Sequence, residues 1–348
     1  MNFFSNLIKK DSKKVYLIAE MSGNHQGSLK KSIEYVKKII DSDADAIKFQ
    51  VYTPDTITYK SKRKDFLVKS KSNWDKFENL YSLYTKAYTP WNWIEKLANI
   101  CDKNKYPWFA SPFDVSAVNF LEELNCKAYK LASPEITDLG LIKAISSKNK
   151  PVIISTGLAS FTDLDLAVNE IKKKHKKIAI LKCTSAYPAP QDHLNLNSIP
   201  TLRKKYKCAI GYSDHTVNEV APIVATVLGA TIIEKHFKID GDKNSIDHHF
   251  SFPISKISKL KKSLDDAKVS LGLNNLKIMP SVKQNLRGKR SLYAIQDIKK
   301  NEVITNKNVK SIRPSFGLHP KYLEKIINKK AKKNIEAGER ISLSKIKI

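Results

Sequence analysis

The sequence predicts an α/β fold, an eight-stranded (β/α)8 TIM barrel, with a small β-rich domain after it. Three observations carry this. Between about residues 15 and 272, eight short apolar runs alternate with stretches of helical rhythm. Such alternation implies parallel pairing, and eight units close into a barrel at ~250 residues. After Leu273 the rhythm gives way to turns and short strands. The expected organisation is a barrel domain over 1–272, a linker over 273–288 and a second domain over 289–348. A doubly wound open sheet is the competing fold, but no GxGxxG follows the first strand.

The first strand, VYLIAEMS (15–22), breaks at Gly23-Asn24-His25-Gln26-Gly27. Leu29, Ile33, Val36, Ile39 and Ile40 then mark one face of a helix. The second strand (46–52) leads into a long insertion, Thr53 to Thr89, with the charged stretch KSKRKDFLVKSKS. A connection of that length suits a lid or an oligomer contact. The chain resumes as helix in TPWNWIEKLANICDKN, with Thr89 as N-cap and Pro90 at the first helical position. Strands at 107–113, 128–133, 151–157 and 177–184 follow, each trailed by helical sequence. The loop after the sixth carries Pro188 and Pro190 and precedes a helix near 196–205. The seventh and eighth strands, CAIGYS and ATIIEKHF, flank a helix marked by Val220, Ala221, Val224 and Val227. The last barrel helix is ISKLKKSLDDAKVSLG. The C-terminal segment is only ~60 residues, small for a self-sufficient core, and is expected to pack on a neighbour.

Composition narrows the function classes. With 41% hydrophobic and 28% charged residues, the balance is that of a soluble globular protein. No apolar run approaches the ~18 residues of a membrane span. MNFFSNLIKKDSKK lacks an apolar core with a cleavage site, so a cytoplasmic location is expected. Cys101, Cys126, Cys183 and Cys208 form no CxxC pair and are expected as free thiols. The net charge of +28 raises the question of nucleic acid. Yet only six of the 62 basic residues are arginine, and the lysines spread over every helical run. Solvated helix faces explain them better than specific nucleic-acid contact, though the charge would help gather anionic substrates.

In such a barrel the chemistry sits at the C-terminal ends of the strands. Polar residues there include Glu20, Lys48, Gln50, Ser111, Lys130, Ser133, Glu135, Ser155, Lys182, Ser185, Asp214, His215, Glu234 and His236. Lys48 in AIKFQ and Lys130 in AYKLAS are the sharpest, because a lysine in a packed strand is costly unless paired or facing an anion. With Ser133 and Ser155 they look like a cradle for a phosphate or carboxylate. An internal pair with Glu20 or Glu234 is the other reading. His215 and His236 end adjacent parallel strands, so the two imidazoles can meet and share one divalent metal. Spacing alone leaves that level with two satisfied rim histidines. His248 and His249, beside Asp247, follow the eighth strand and face the same rim. A metal next to an anion cradle suggests Lewis-acid activation of a carbonyl near a phosphorylated substrate.

The motifs IAEMSGNHQGSL, DAIKFQVYTPDTIT, YKLASPEITD, PVIISTGLAS, LKCTSAYP, GYSDHT and IIEKHF follow one another as in the sialic acid synthase family. The chain resembles that family over essentially its whole length. RSLYAIQDIKKNEVIT and VKSIRPSFGLHPKYL look like the family's antifreeze-like (SAF) domain. YTPDTIT, LYTKAYTPWNW and RPSFGLHPK look most like the branch that makes pseudaminic acid.

The resemblance implies a transferase that condenses phosphoenolpyruvate with the open-chain aldehyde of an amino sugar. In the pseudaminic acid branch that sugar is 2,4-diacetamido-2,4,6-trideoxy-L-altrose. N-acetylmannosamine or a diacetamido-trideoxymannose serves the neuraminate and legionaminate branches. The resemblance implies Mn2+, or else Mg2+ or Co2+, held by His215 and His236 and polarising the aldehyde. C3 of phosphoenolpyruvate would attack, water would add at C2, and phosphate would leave with C–O cleavage. By motif match, Lys48, Lys130, Ser133, Ser155, Ser185 and Tyr187 would hold phosphoenolpyruvate, and Gln50, Asp247 and Arg313 the sugar. Arg313 would come from the partner subunit in a domain-swapped homodimer, the SAF domain capping the neighbouring barrel. One position departs from the pattern: Gln26 follows the histidine of the NHxG turn where some members carry a carboxylate. That leaves the acid–base work to Glu135 and Glu234.

Overall fold

Eight parallel strands pair in chain order, and the last returns to the first. They are β1 Tyr16–Glu20, β2 Ala46–Val51, β3 Trp108–Pro112, β4 Tyr129–Leu131, β5 Val152–Ser155, β6 Ile178–Cys183, β7 Ala209–Asp214 and β8 Ile232–Lys238. The β8–β1 pairing closes the barrel and excludes the open sheet. This computed structural model describes residues 3–68 and 74–347. It divides into two units, Met1–Gly272 and Leu273–Ile348.

The strands are apolar because they are covered on both faces, by the barrel interior and by the helices. All five residues of β1 and all six of β7 are buried. Register then sets which side chains meet. Glu20 lies opposite Lys48 on β2 and His236 on β8, and Ser213 lies opposite Glu234. Side chains alternate between inside and outside along a strand. Polar residues spaced by two near the strand ends therefore form a polar tier inside the rim.

Polar caps start the return helices. Ser28 caps Leu29–Ile40, Asp114 caps Val115–Glu123, Asp138 caps Leu139–Ser147, and a Ser160–Asp163 capping box opens Phe161–Lys172. Helix Trp91–Lys103 differs from expectation by one residue. Its N-cap is Pro90, whose carbonyl accepts from Trp93 and Ile94, while Thr89 is buried and makes no cap. In the insertion, Thr53 caps Pro54–Ile57, and an Asn79–Ser82 box opens helix Leu80–Ala87. Residues 69–73, which take in the end of its charged stretch, lie outside the described residues. A two-residue strand, β9 Phe252–Pro253, pairs in parallel with the end of β8; it is too short to leave a periodicity in the sequence.

The C-terminal unit pairs β10 Ser291–Ala294 with β11 Val309–Ile312, and β12 Lys330–Ala331 with β13 Ile346–Lys347, all antiparallel. It has a buried apolar cluster of its own, through Leu292, Ile298, Ile304, Val309, Ile326 and Ile341. Among the described residues no helix is long and apolar enough to cross a membrane. The four cysteines are free.

Candidate active site

The strand ends open into a cavity of about 410 Å³, within the range of small-molecule sites. All the residues given a role by the family resemblance line it except Glu135 and Arg313. They come from six different strands or the loops that follow them, places that only barrel closure brings together.

The buried lysines form the internal pairs that were the other reading of the sequence. Lys48 Nζ lies 2.5 Å from Glu20 Oε2 and 3.7 Å from Glu234 Oε1. Lys130 Nζ lies 3.7 Å from Glu234 Oε1 and donates to Ser155 Oγ at 2.5 Å. The internal pairs are formed, and both ammonium groups still line the cavity. Burial pulls the Lys48 pKa down, but Glu20 and Glu234 outweigh it and hold the group cationic. Burial prevails at Lys130, whose pKa is lowered. At Glu234 burial pushes up, yet Lys130 and Lys48 outweigh it, and Ser213 Oγ donates to its Oε1 at 2.9 Å. Glu234 is thus a fixed anion between two cations, poorly suited to deliver a proton.

Ring centroids of His215 and His236 are 5.3 Å apart. His215 Nδ1 is 3.0 Å from the Thr184 carbonyl. A carbonyl only accepts, so that contact puts the proton on Nδ1 and leaves Nε2 with a lone pair, the usual arrangement behind a metal-ligating imidazole. His236 Nδ1 is buried and makes no hydrogen bond. Burial, the largest cause, with the charge of Lys48 nearby, holds the His236 pKa well below its ordinary value, so the ring is neutral and able to ligate. Among the described residues no group of three His, Cys, Asp or Glu side chains is arranged around one metal position. The two imidazoles fit a divalent ion as a partial ligand set, the remainder being water or substrate oxygen.

Glu135 sits in the short turn Pro134–Thr137 just after β4. Burial raises its pKa to about 7, against the pull of its own backbone N–H and of Lys130. Its Oε2 is buried without a hydrogen bond. A carboxyl so poised can give or take a proton at neutral pH. Elsewhere on the rim, Ser133 Oγ accepts the Leu158 N–H at 2.5 Å. Gln50 Nε2 donates to Ser22 Oγ at 2.9 Å, and Asp247 Oδ2 accepts the Gly23 N–H at 3.0 Å. Tyr187 packs on His215 with ring centroids 4.5 Å apart.

Several rim candidates turn away from the cavity. His25 accepts the Gly27 N–H at Nδ1, and its Nε2 is 3.1 Å from the Ala87 carbonyl, so it tethers the insertion. His248 Nδ1 lies 2.6 Å from the Ser245 carbonyl, and His249 packs edge-on to Phe250. Neither histidine lines the cavity, nor does Lys182, which donates to the Cys183 carbonyl at 2.6 Å. Arg313 is exposed in the C-terminal unit. Sequence reading overlooked Ser213, which two-residue spacing from His215 could have revealed. It also overlooked the fully buried Lys235–Asp214 pair, 2.5 Å apart on the outward side of β7 and β8.

The NeuB family model matches residues 35–275, and a SAF domain model matches 289–347. The chain belongs to the NeuB family. It is 40% identical to the pseudaminic acid synthase of Campylobacter jejuni subsp. jejuni serotype O:23/36 (strain 81-176), over 95% of this chain and 96% of that one. With the N,N'-diacetyllegionaminic acid synthase of Campylobacter jejuni subsp. jejuni serotype O:2 (strain ATCC 700819 / NCTC 11168), identity falls to 32%, over 94% and 99%. Among solved structures, the N-acetylneuraminic acid synthetase of Leptospira borgpetersenii serovar Hardjo-bovis, in complex with citrate, superposes with a TM-score of 0.68. It is 31% identical, over 78% of this chain and 90% of that one. Within the NeuB family, similarity is thus greater toward the pseudaminic acid enzyme than toward the legionaminic acid one.

Proposed function

We propose that the chain condenses phosphoenolpyruvate with the open-chain aldehyde of 2,4-diacetamido-2,4,6-trideoxy-L-altrose, giving pseudaminic acid and phosphate. The observation that carries this reading is one cavity holding both the Lys48–Lys130 cradle and the His215–His236 pair. The identity of 40% with a pseudaminic acid synthase selects the sugar within the family.

Lys48 and Lys130, with the hydroxyls of Ser133, Ser155, Ser185 and Tyr187, receive the phosphate and carboxylate of phosphoenolpyruvate. Binding that anion draws the lysines from Glu20 and Glu234, which otherwise neutralise them. Gln50 and Asp247 hold the sugar hydroxyl and amide groups. A divalent ion on His215 and His236, for which we propose Mn2+ ahead of Mg2+ or Co2+, supplies Lewis-acid polarisation of the aldehyde oxygen. C3 of phosphoenolpyruvate bonds to the aldehyde carbon, and the aldehyde oxygen takes up one proton. Water adds at C2 and gives up one proton. The C2–O bond then breaks as the new C2 hydroxyl becomes the ketone, and phosphate leaves with the bridging oxygen and takes up the hydroxyl proton. Glu135, poised near neutrality, is the group that moves these protons, while Glu234 stays ionised beside the two lysines.

The SAF unit supplies Arg313 to the sugar site of a partner subunit in a homodimer, with 1–272 the catalytic domain and 273–288 the linker. We place the enzyme in the cytoplasm, where phosphoenolpyruvate is made. The test uses phosphoenolpyruvate labelled with 18O in the bridging position, together with the diacetamido sugar. The label in released phosphate, with a nonulosonic acid as co-product, is the expected result. Unlabelled phosphate, or phosphate release that does not need the sugar, overturns the reading.

A further inference from the structure

The cavity has two unlike halves. One is the polar floor already described. The other is supplied largely by the insertion: Leu80, Leu83, Tyr84 and Ala87, on or next to one turn-repeated face of helix Leu80–Ala87, all line the cavity. Tyr52 and Phe113 continue that surface, with Tyr52 set edge-on to Tyr84 at 5.8 Å and to Phe113 at 5.1 Å. The insertion is rich in lysine, yet none of its described charged residues lines the cavity. Lys86, within the same helix, is exposed. The helix therefore presents apolar surface to the cavity and charge to solvent, as amphipathicity requires. Its C-terminal end is fastened to the rim by His25, through the Ala87 carbonyl.

We infer that helix Leu80–Ala87 is the sugar-specificity element, an apolar wall that selects a sugar with an acetamido group at C4 and a methyl at C6 over one with hydroxyls at both. The inference rests on the reading given under Proposed function. The diacetamido-trideoxy acceptors and N-acetylmannosamine differ in what they turn toward such a wall. N-acetylmannosamine carries hydroxyls at C4 and C6. The diacetamido-trideoxy sugar carries an acetamido group at C4 and a methyl at C6. A hydroxyl against an aliphatic side chain loses its water without a new partner, whereas a methyl gains from the same burial. The Tyr84 ring can cover an acetamido methyl while its hydroxyl stays available to the amide. Phosphoenolpyruvate, an anion held by Lys48 and Lys130, offers such a wall no comparable choice.

The test measures phosphate release by the full-length protein with each sugar, first for wild type and then for Leu83→Asn, Leu83→Met and Ala87→Ser. Leu83→Asn is expected to lower kcat/KM for the diacetamido sugar by about 10–100-fold, the scale on which apolar pockets discriminate, and to narrow the preference over N-acetylmannosamine. The KM for phosphoenolpyruvate should stay within about twofold, and Leu83→Met, which keeps the surface apolar, should restore the preference. Ala87→Ser adds one hydroxyl at a half-buried position and serves if Leu83→Asn does not fold; it is expected to shift the preference in the same direction. If wild type uses the diacetamido sugar and the folded polar variants keep its kcat/KM and preference within about twofold, the wall is overturned and the proposed function stands. An equal loss with both sugars also overturns the wall, since that reports a collapsed rim. A wild type that turns over only N-acetylmannosamine overturns the proposed function and the wall together.

Discussion

Glu135 and Glu234 both follow or end barrel strands, and their surroundings set them to opposite tasks. Lys130 and Lys48 hold Glu234 ionised, while burial lifts Glu135 to about 7. The folded-state pKa of Glu135 lies above the usual carboxylate value. Its contribution to stability is therefore present at low pH and is lost as pH rises through about 7. Glu135→Gln should lower kcat by about 10²–10⁴-fold and flatten the activity limb near neutrality, without lowering the melting temperature at pH 8. A pH–rate profile that keeps its limb in the variant would contradict the proton role. Lys235 gives a second prediction at this scale. Its ammonium reaches Asp214 Oδ2 at 2.5 Å and the Thr216 carbonyl at 2.6 Å, tying together the strands that carry His215 and His236. Lys235→Met leaves the Asp214 carboxylate buried and alone, so denaturant unfolding should show a loss of about 3–5 kcal/mol. Adding Asp214→Asn should recover part of it. The inward pairs Lys48/Gln50 and Glu234/His236 were legible in the sequence, because spacing by two puts both members on one face. Lys235 was not legible: the same alternation turns it outward, and its partner appears only once the register of β7 and β8 is fixed.

At the scale of elements, the insertion is where sequence reading stopped at a choice between lid and oligomer contact. Alternating strands and helices declare themselves by period. A segment such as 53–89 is defined by where it docks, and period says nothing about docking. The tether is His25. Its Nδ1 accepts the Gly27 N–H and its Nε2 donates to the Ala87 carbonyl, which requires the neutral ring. Burial lowers the His25 pKa, so the tether is fully in place above the ordinary histidine value of ~6.5 and weakens as pH falls toward the folded-state pKa. Hydrogen exchange of the backbone amides in 80–88, corrected for intrinsic rate, should therefore speed up below pH 6. His25→Ala should exchange fast at every pH. Equal protection at pH 5.5 and 7.5 in wild type would remove the tether. The one-residue shift from Thr89 to Pro90 as N-cap has a similar origin, since burial of Thr89 is a tertiary fact.

At the scale of the whole molecule, the barrel was readable from eight repeats of one unit. The SAF segment was readable only by resemblance, because short strands and turns carry little periodicity. Its exposed Arg313 gives the dimer proposal a sharp test. Arg313→Ala should raise the sugar KM far more than that of phosphoenolpyruvate. At a sugar concentration far below the raised KM, where Arg313→Ala and His236→Ala chains are each nearly inactive alone, co-expressing them should recover about 25% of wild-type activity if each site draws its arginine from the other subunit. No recovery in verified mixed dimers would confine each site to one chain. Chelation should abolish turnover, and Mn2+ should restore it in wild type but not in His236→Ala; restoration in that variant would free His236 of the metal role.

The acceptor sugar decides which nonulosonic acid this chain makes. Phosphate release is measured with phosphoenolpyruvate, Mn2+ and each of three sugars in turn: 2,4-diacetamido-2,4,6-trideoxy-L-altrose, its legionaminate counterpart, and N-acetylmannosamine. Rapid release is expected with the first and little with the others. Release with N-acetylmannosamine or the legionaminate precursor, and none with the altrose derivative, would contradict it.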